Sequence, residues 1–293
     1  MKFLRILALL LTLVMLIPCC VSCLNDENEP YYNENDDHDD DDGDRKDNDT
    51  GESTGGSWED LLDNIFDNKK YIIVTDTTFA PFEFTNDKGE FVGIDVELIA
   101  AIAEDQGFKY ELKKLGFAAA ITALETDQAD GVIAGMTITE TRKKKYNFSD
   151  PYFDNGVSMA ISIANNSIKS YADLRGKTVA VKAGTEGKTF AESIKGTYGF
   201  TVQTYDDSAL MYEAVKSNKA VACFEDYAVM AFGVAQGNGL KIVNTELTGS
   251  SYGFCVKKGA GNDKLVEMFN RGLANIKANG KYREILDKYL KAK

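Results

Sequence analysis

Histidine is almost absent from this chain. The 293 residues hold one, His38, and it lies among aspartates. Everything after it works without imidazole, which excludes Ser-His-Asp and Cys-His nucleophilic sites, histidine metal sites and histidine general bases. Cysteine is sparse as well: Cys19, Cys20 and Cys23 crowd together, and only Cys223 and Cys255 follow. Nothing in the sequence assures Cys223 and Cys255 the separation a disulfide needs, and both are expected as buried free thiols although an exported protein permits a disulfide. Beyond residue 17 no apolar run approaches the roughly 20 residues that a membrane span needs. A basic face is missing too, because the formal charge is −13; nucleic acid as a partner is therefore not expected.

What is present is unevenly placed. Residues 1–23 carry two bases and no acid, residues 24–57 carry 14 acids and two bases, and the other 236 residues carry 32 acids and 29 bases. The acidity thus belongs to one short stretch, and the rest is nearly neutral. With 44% hydrophobic and 27% charged residues, the chain has the composition of a globular protein.

Residues 1–23 read as an export signal. Lys2 and Arg5 precede an apolar run from Ile6 to Ile17, the length of a signal core and short of a span. Val21-Ser22-Cys23 then resembles a bacterial lipoprotein cleavage site, with Cys23 as the lipidated residue and Cys20 departing from the usual leucine. Residues 24–57 are dominated by Asp, Asn, Glu, Gly and Ser with almost nothing to bury, an acidic disordered tether of roughly 30 Å or more. Asp40, Asp42, Gly43 and Asp49 fall on four positions of a calcium-loop pattern, but His38 stands at its first position and an aspartate at its last. A solvated spacer is the reading there, and no metal or cofactor is expected.

From Trp58 onward strand and helix patterns alternate. Strands are expected at 71–75, 109–113, 131–134, 157–163, 178–181, 201–204, 220–224 and 252–256. Helices are expected at 94–106, 117–126, 187–194, 209–217, 226–235, 262–277 and 281–290. Repeated β-α units imply α/β architecture with largely parallel sheets, and ligands in such sheets bind beyond the carboxyl ends of strands. Polar residues stand at several of those ends: Asp76, Thr137 with Arg142, Lys182 with Thr185, and Glu225 with Asp226.

Four runs carry a resemblance. Residues 73–84 (IVTDTTFAPFEF) lead to Val92-Gly93-Ile94-Asp95-Val96-Glu97-Leu98; residues 134–142 (AGMTITETR) lead to Phe148-Ser149-Asp150-Pro151-Tyr152; Val179-Ala180-Val181-Lys182-Ala183-Gly184-Thr185 and Asn279-Gly280-Lys281-Tyr282 follow. Over about residues 70–290 the chain resembles the amino-acid-binding proteins of bacterial ABC transporters, solute-binding protein family 3, and among them the glutamine-binding members. The resemblance implies the type II periplasmic-binding-protein fold: lobe 1 at 70–153 and 253–290, lobe 2 at 154–252, crossings near 152–157 and 249–254. It implies a monomer, exported and lipid-anchored on the outer face of the cytoplasmic membrane or periplasmic, that delivers a polar L-amino acid, most readily glutamine, to a membrane permease.

The same resemblance assigns a site, and the chemistry of a zwitterion agrees with it. The Arg142 fork suits the α-carboxylate, with Thr137 and the amides near Thr185 and Glu186 adding donors. Asp226 and the carbonyl region of Ala134 and Gly135 suit the ammonium. Phe79 and Phe117 flank the aliphatic part. Asp76 and Lys182 face the side-chain amide, which both donates and accepts. Glu225 and Glu186 depart from the glutamine binder, and Glu225 would favour a more cationic ligand. The rival readings are a same-fold dehydratase using Glu225 as acid or base, and an amino-acid sensor component. The intact pairing of Arg142 with Asp226 favours binding over catalysis.

Overall fold

The structure is a computed structural model that describes residues 69–291. The export signal, Cys23 and the acidic tether lie outside the described residues. Two five-stranded sheets organise the body. In the first, β1 (Lys70–Thr75) pairs in parallel with β4 (Lys109–Lys114) and β5 (Gly131–Val132). Then β12 (Cys255–Lys257) runs antiparallel between β5 and β6 (Tyr146–Phe148). A small hairpin, β2 (Phe84–Thr85) with β3 (Phe91–Val92), stands apart.

Alternation along β1 feeds both faces of this sheet. Tyr71 and Ile73 pack with Leu98, Ile99 and Ile102 of α1 (Ile94–Gln106) and with Leu265, Phe269 and Leu273 of α7 (Asp263–Ala278). Val74 turns to the other face and meets Phe117, Ala120 and Leu124 of α2 (Phe117–Glu125). The buried face of α1 includes the charged residue Asp95. The cause is polar: Asp95 Oδ2 accepts from Gly135 N and from the Tyr152 hydroxyl. The last helix, α8 (Lys281–Leu290), packs on α1 and α7.

The second sheet is ordered β11 (Leu240–Tyr252), β7 (Phe153–Ser162), β10 (Ala222–Asp226), β8 (Thr178–Lys182) and β9 (Thr201–Tyr205). Val179 and Val181 meet Ala191 of α4 (Glu186–Tyr198) on one face. Ala180 and Cys223 meet Met211 of α5 (Ser208–Lys216) and Met230 of α6 (Tyr227–Ala235) on the other. Cys223 and Cys255 are buried, unpaired, and in different sheets.

The chain passes between sheets through an antiparallel ribbon. Phe153 stands opposite Tyr252, Asp154 opposite Ser251 and Asn155 opposite Ser250. That return traffic makes both sheets mixed, where the β-α alternation implied largely parallel ones: β12 enters the first sheet antiparallel, and β7 is antiparallel to both β10 and β11 in the second. It also breaks the strand expected at 252–256. β11 ends at Tyr252, Gly253 and Phe254 carry the chain across, and β12 begins at Cys255. The strand expected at 131–134 stops at Val132, and Gly135 turns the chain at φ +51°.

Candidate functional site: a cavity between the lobes

Eleven of the twelve ligand-binding positions singled out in the sequence line one narrow cavity. From the first lobe come Asp76 and Phe79 after β1, Phe117 opening α2, the Ala134–Gly135–Thr137 run after β5, and Arg142 on α3 (Glu140–Lys143). From the second come Lys182 ending β8, Thr185 and Glu186 opening α4, and Asp226 ending β10. Strand ends of both sheets therefore converge on one space, as open α/β sheets favour.

Local chemistry fixes these positions. Gly135 has a backbone that L side chains rarely adopt, and a Cβ there would stand 2.3 Å from Phe79 Cε1, so only glycine fits beneath that ring. The Thr185 side chain caps α4 by accepting from Lys188 N, and its hydroxyl donates to the Lys182 carbonyl at 2.9 Å. The helix N-terminus, a region of positive potential, thereby faces the cavity. Thr139 caps α3 by accepting from Arg142 N, which anchors the base of that arginine.

Arg142 spans the space between lobes. Its Nη1 donates to the Thr137 carbonyl at 2.7 Å, its Nη2 donates to the Gly184 carbonyl at 2.9 Å, and its guanidinium lies 5.6 Å from the Phe117 ring centre. Lys182 also crosses, forming a buried ion pair with Asp76 Oδ2. Asp76 Oδ1 accepts from Thr77 N at 2.6 Å, and the ammonium sits 4.9 Å above the Phe79 ring centre. Burial alone would lower the Lys182 pKa, but the charge of its partner Asp76, and then that of Glu225, raise it, so the ammonium stays charged.

Asp226 is buried, and the hydroxyl of Tyr252 donates to its Oδ2 at 2.6 Å, while its Oδ1 meets no donor. Burial and the neighbouring Glu225 push its carboxyl up to about 7, against the pull of Tyr252, Arg142 and Asn155. An unsatisfied carboxylate oxygen at a cavity wall is a costly arrangement that a cationic donor would relieve.

Glu225 behaves differently. It is buried beside the cavity but does not line it. Its Oε2 accepts from the Ser208 hydroxyl at 2.8 Å and from the Tyr212 hydroxyl at 3.3 Å, and Oε1 accepts from Asp226 N at 3.0 Å. Held inside the second lobe, it acts on Lys182 through charge rather than by reaching a ligand. Burial raises its own pKa, with Lys182 pulling the other way. Sequence reasoning missed the groups that hold these acids: Tyr252 for Asp226, and Ser208 with Tyr212 for Glu225. Tyr252 fell within the expected second crossing, the one available signal.

Comparison with known proteins places the chain among binders. The family described as bacterial extracellular solute-binding proteins, family 3, matches residues 71–292. An arginine-binding periplasmic protein of Mannheimia haemolytica is 33% identical over 225 residues, covering 76% of this chain and 92% of that one. The ABC transporter glutamine-binding protein GlnH of Bacillus subtilis (strain 168) is 32% identical over 248 residues, 82% of this chain and 88% of the relative. Among solved structures, an ancestral arginine-binding protein bound to arginine is 38% identical, with a TM-score of 0.71 over 76% of this chain and 98% of the other. An ancestral arginine-binding protein bound to glutamine gives 37% and 0.70, over 75% and 97%.

Proposed function

The chain belongs to the bacterial extracellular solute-binding proteins, family 3, and on that premise we propose that its cavity selects an uncharged polar L-amino acid, glutamine before others. As a family member it is an extracytoplasmic amino-acid-binding component of an ABC transporter, and it is a binder rather than an enzyme. The finer reading rests on one observation: the cavity lining carries an acid and a base together, Asp76 and Lys182, both buried and paired. Such a pair offers an acceptor and a donor to a side-chain amide. A lysine or arginine ligand would meet Lys182, and a glutamate would meet Asp76, so both charged classes are disfavoured. Arg142 would take the α-carboxylate, and the unsatisfied Asp226 Oδ1 the α-ammonium.

Arginine is the second reading. The buried Glu225 adds negative charge behind Lys182, and the arginine-binding relatives above share about a third of their residues with this chain. Titration calorimetry on refolded protein against the common amino acids tests both readings. Removing one partner of a buried, hydrogen-bonded charge pair costs roughly 2–5 kcal/mol. Arg142→Ala should therefore weaken every ligand alike by about 30-fold or more. A loss confined to one ligand would contradict its role on the group common to all.

Membrane attachment completes the proposal. Cys23 would carry the lipid, holding a monomer near its permease. Cys23→Ser should move the protein from the membrane fraction to the soluble one, and a variant that stays membrane-bound contradicts this anchor.

A further inference from the structure

Behind the cavity floor lies a second group of buried acids that the binding reading leaves unused. Glu83 and Asp95 are fully buried, and their carboxyl groups are within hydrogen-bonding reach of each other. Asp95 Oδ2 accepts from Gly135 N at 2.7 Å and from the Tyr152 hydroxyl at 2.8 Å. Neither oxygen of Glu83 meets an N–H or O–H donor, and nor does Asp95 Oδ1. Two ionised carboxylates facing each other in a dry interior repel, and each leaves lone pairs unsatisfied. One proton between them removes both costs.

The other charges near the pair do not substitute for that proton. Asp76 and Lys182 face Glu83, but they are paired to each other. Burial first, then the charges of Asp95 and Asp76, hold the Glu83 carboxyl well above the ordinary glutamate range. Burial raises Asp95 to about 6, restrained by the Gly135 N–H and Tyr152. The Tyr152 hydroxyl is itself held protonated by burial and by Asp95 and Glu83.

The pair is wired to the cavity on two sides. Glu83 exchanges backbone hydrogen bonds with Phe79, Phe79 N donating to Glu83 O at 2.8 Å and Glu83 N to Phe79 O at 3.2 Å. Asp95 holds Gly135 through its amide. Phe79 and Gly135 both line the cavity. Tyr152 immediately precedes β7, where the chain crosses to the second lobe.

We propose that Glu83 and Asp95 share one proton at neutral pH, and that this protonated pair is a positioning device that sets Phe79 and Gly135 for the ligand. The pair touches no ligand. When the proton leaves, the repulsion displaces the turn that Asp95 holds, and amino-acid binding weakens. This rests on the amino-acid-binding reading for its ligand arm, so the test has a second arm that needs no ligand.

In the ligand arm, glutamine is titrated calorimetrically from pH 6.5 to 9.5. Glu83→Ala, which removes the shared proton, should weaken binding at pH 7 by tenfold or more. Glu83→Gln replaces that proton with an amide N–H to Asp95 Oδ1 and should restore affinity to within about threefold of the parent. As the pH rises through this range the parent should lose more affinity than Glu83→Gln, because titration of glutamine's own amino group is common to both. Parallel profiles would overturn the proposal.

The ligand-free arm reads infrared spectra and thermal unfolding, and it decides even if glutamine does not bind. The parent minus Glu83→Gln difference at pH 7 should contain a protonated-carboxyl C=O stretch. A carboxyl with a raised folded-state pKa contributes stability that is complete below its ordinary range and is lost as pH rises toward the folded value. The parent's melting temperature should therefore fall with rising pH more than that of Glu83→Gln. Absence of the band, or equal pH slopes, would overturn the shared proton.

Discussion

At Asp226 a single carboxylate meets opposed demands. Burial and Glu225 push its pKa up to about 7, yet the proposed ammonium contact requires it ionised. Ligand affinity should therefore fall by about tenfold for each pH unit below 7. The stability it contributes runs the other way: full below the ordinary aspartate range, it is lost as pH rises to about 7. Tyr252 lowers this pKa by donating to Oδ2. Tyr252→Phe should move the acid limb of affinity toward higher pH and weaken binding several-fold at pH 7, measured by calorimetry across pH 5–8; an unmoved limb would contradict it. The residues at strand ends were legible from the sequence because polar groups there interrupt apolar runs. Their supports were not. Nothing local in Ser208 or Tyr212 announces that they hold Glu225, since the contacts depend on how α5 packs beside β10.

Among elements, the turn after β5 carries the sharpest steric demand. Gly135→Ala would force a Cβ into the Phe79 ring from a backbone at φ +51°. Strain of that kind costs about 1–3 kcal/mol. The variant should melt several degrees lower and bind at least tenfold more weakly, checked by thermal unfolding and calorimetry; wild-type affinity would contradict the geometry of the cavity floor. Element identity followed from local pattern in β1, α1, β8 and α7, where apolar spacing alone fixes strand or helix. It failed where pairing is non-local. β11 extends from Leu240 to Tyr252 because β7 lies beside it, through two register shifts at Ile242/Asn244 and Glu246/Ser250, and its second half is too polar to show strand alternation. The hairpin of β2 and β3 is too short to show a period. Asp95 reads as the exposed first turn of a helix and is buried only because Gly135 and Tyr152 reach it.

For the whole molecule, two side chains tie the lobes across the cavity: Lys182 to Asp76 and Arg142 to the Gly184 carbonyl. The ribbon of β7 and β11 is the covalent path between them, a geometry suited to hinge motion about few residues. Selectivity is then a property of how charges from both lobes meet, with Lys182 supplying the only buried cation among the described residues against the buried acids Asp76, Glu83, Asp95, Glu225 and Asp226. Lys182→Leu removes that cation and leaves the acids. The most direct measurement is a calorimetric comparison of glutamine, arginine and lysine on the parent and on Lys182→Leu at pH 7.5. The account predicts that the parent prefers glutamine, and that in the variant glutamine binding falls while arginine and lysine gain at least tenfold relative to it. Equal losses for all three ligands, or a parent that prefers arginine, would contradict it.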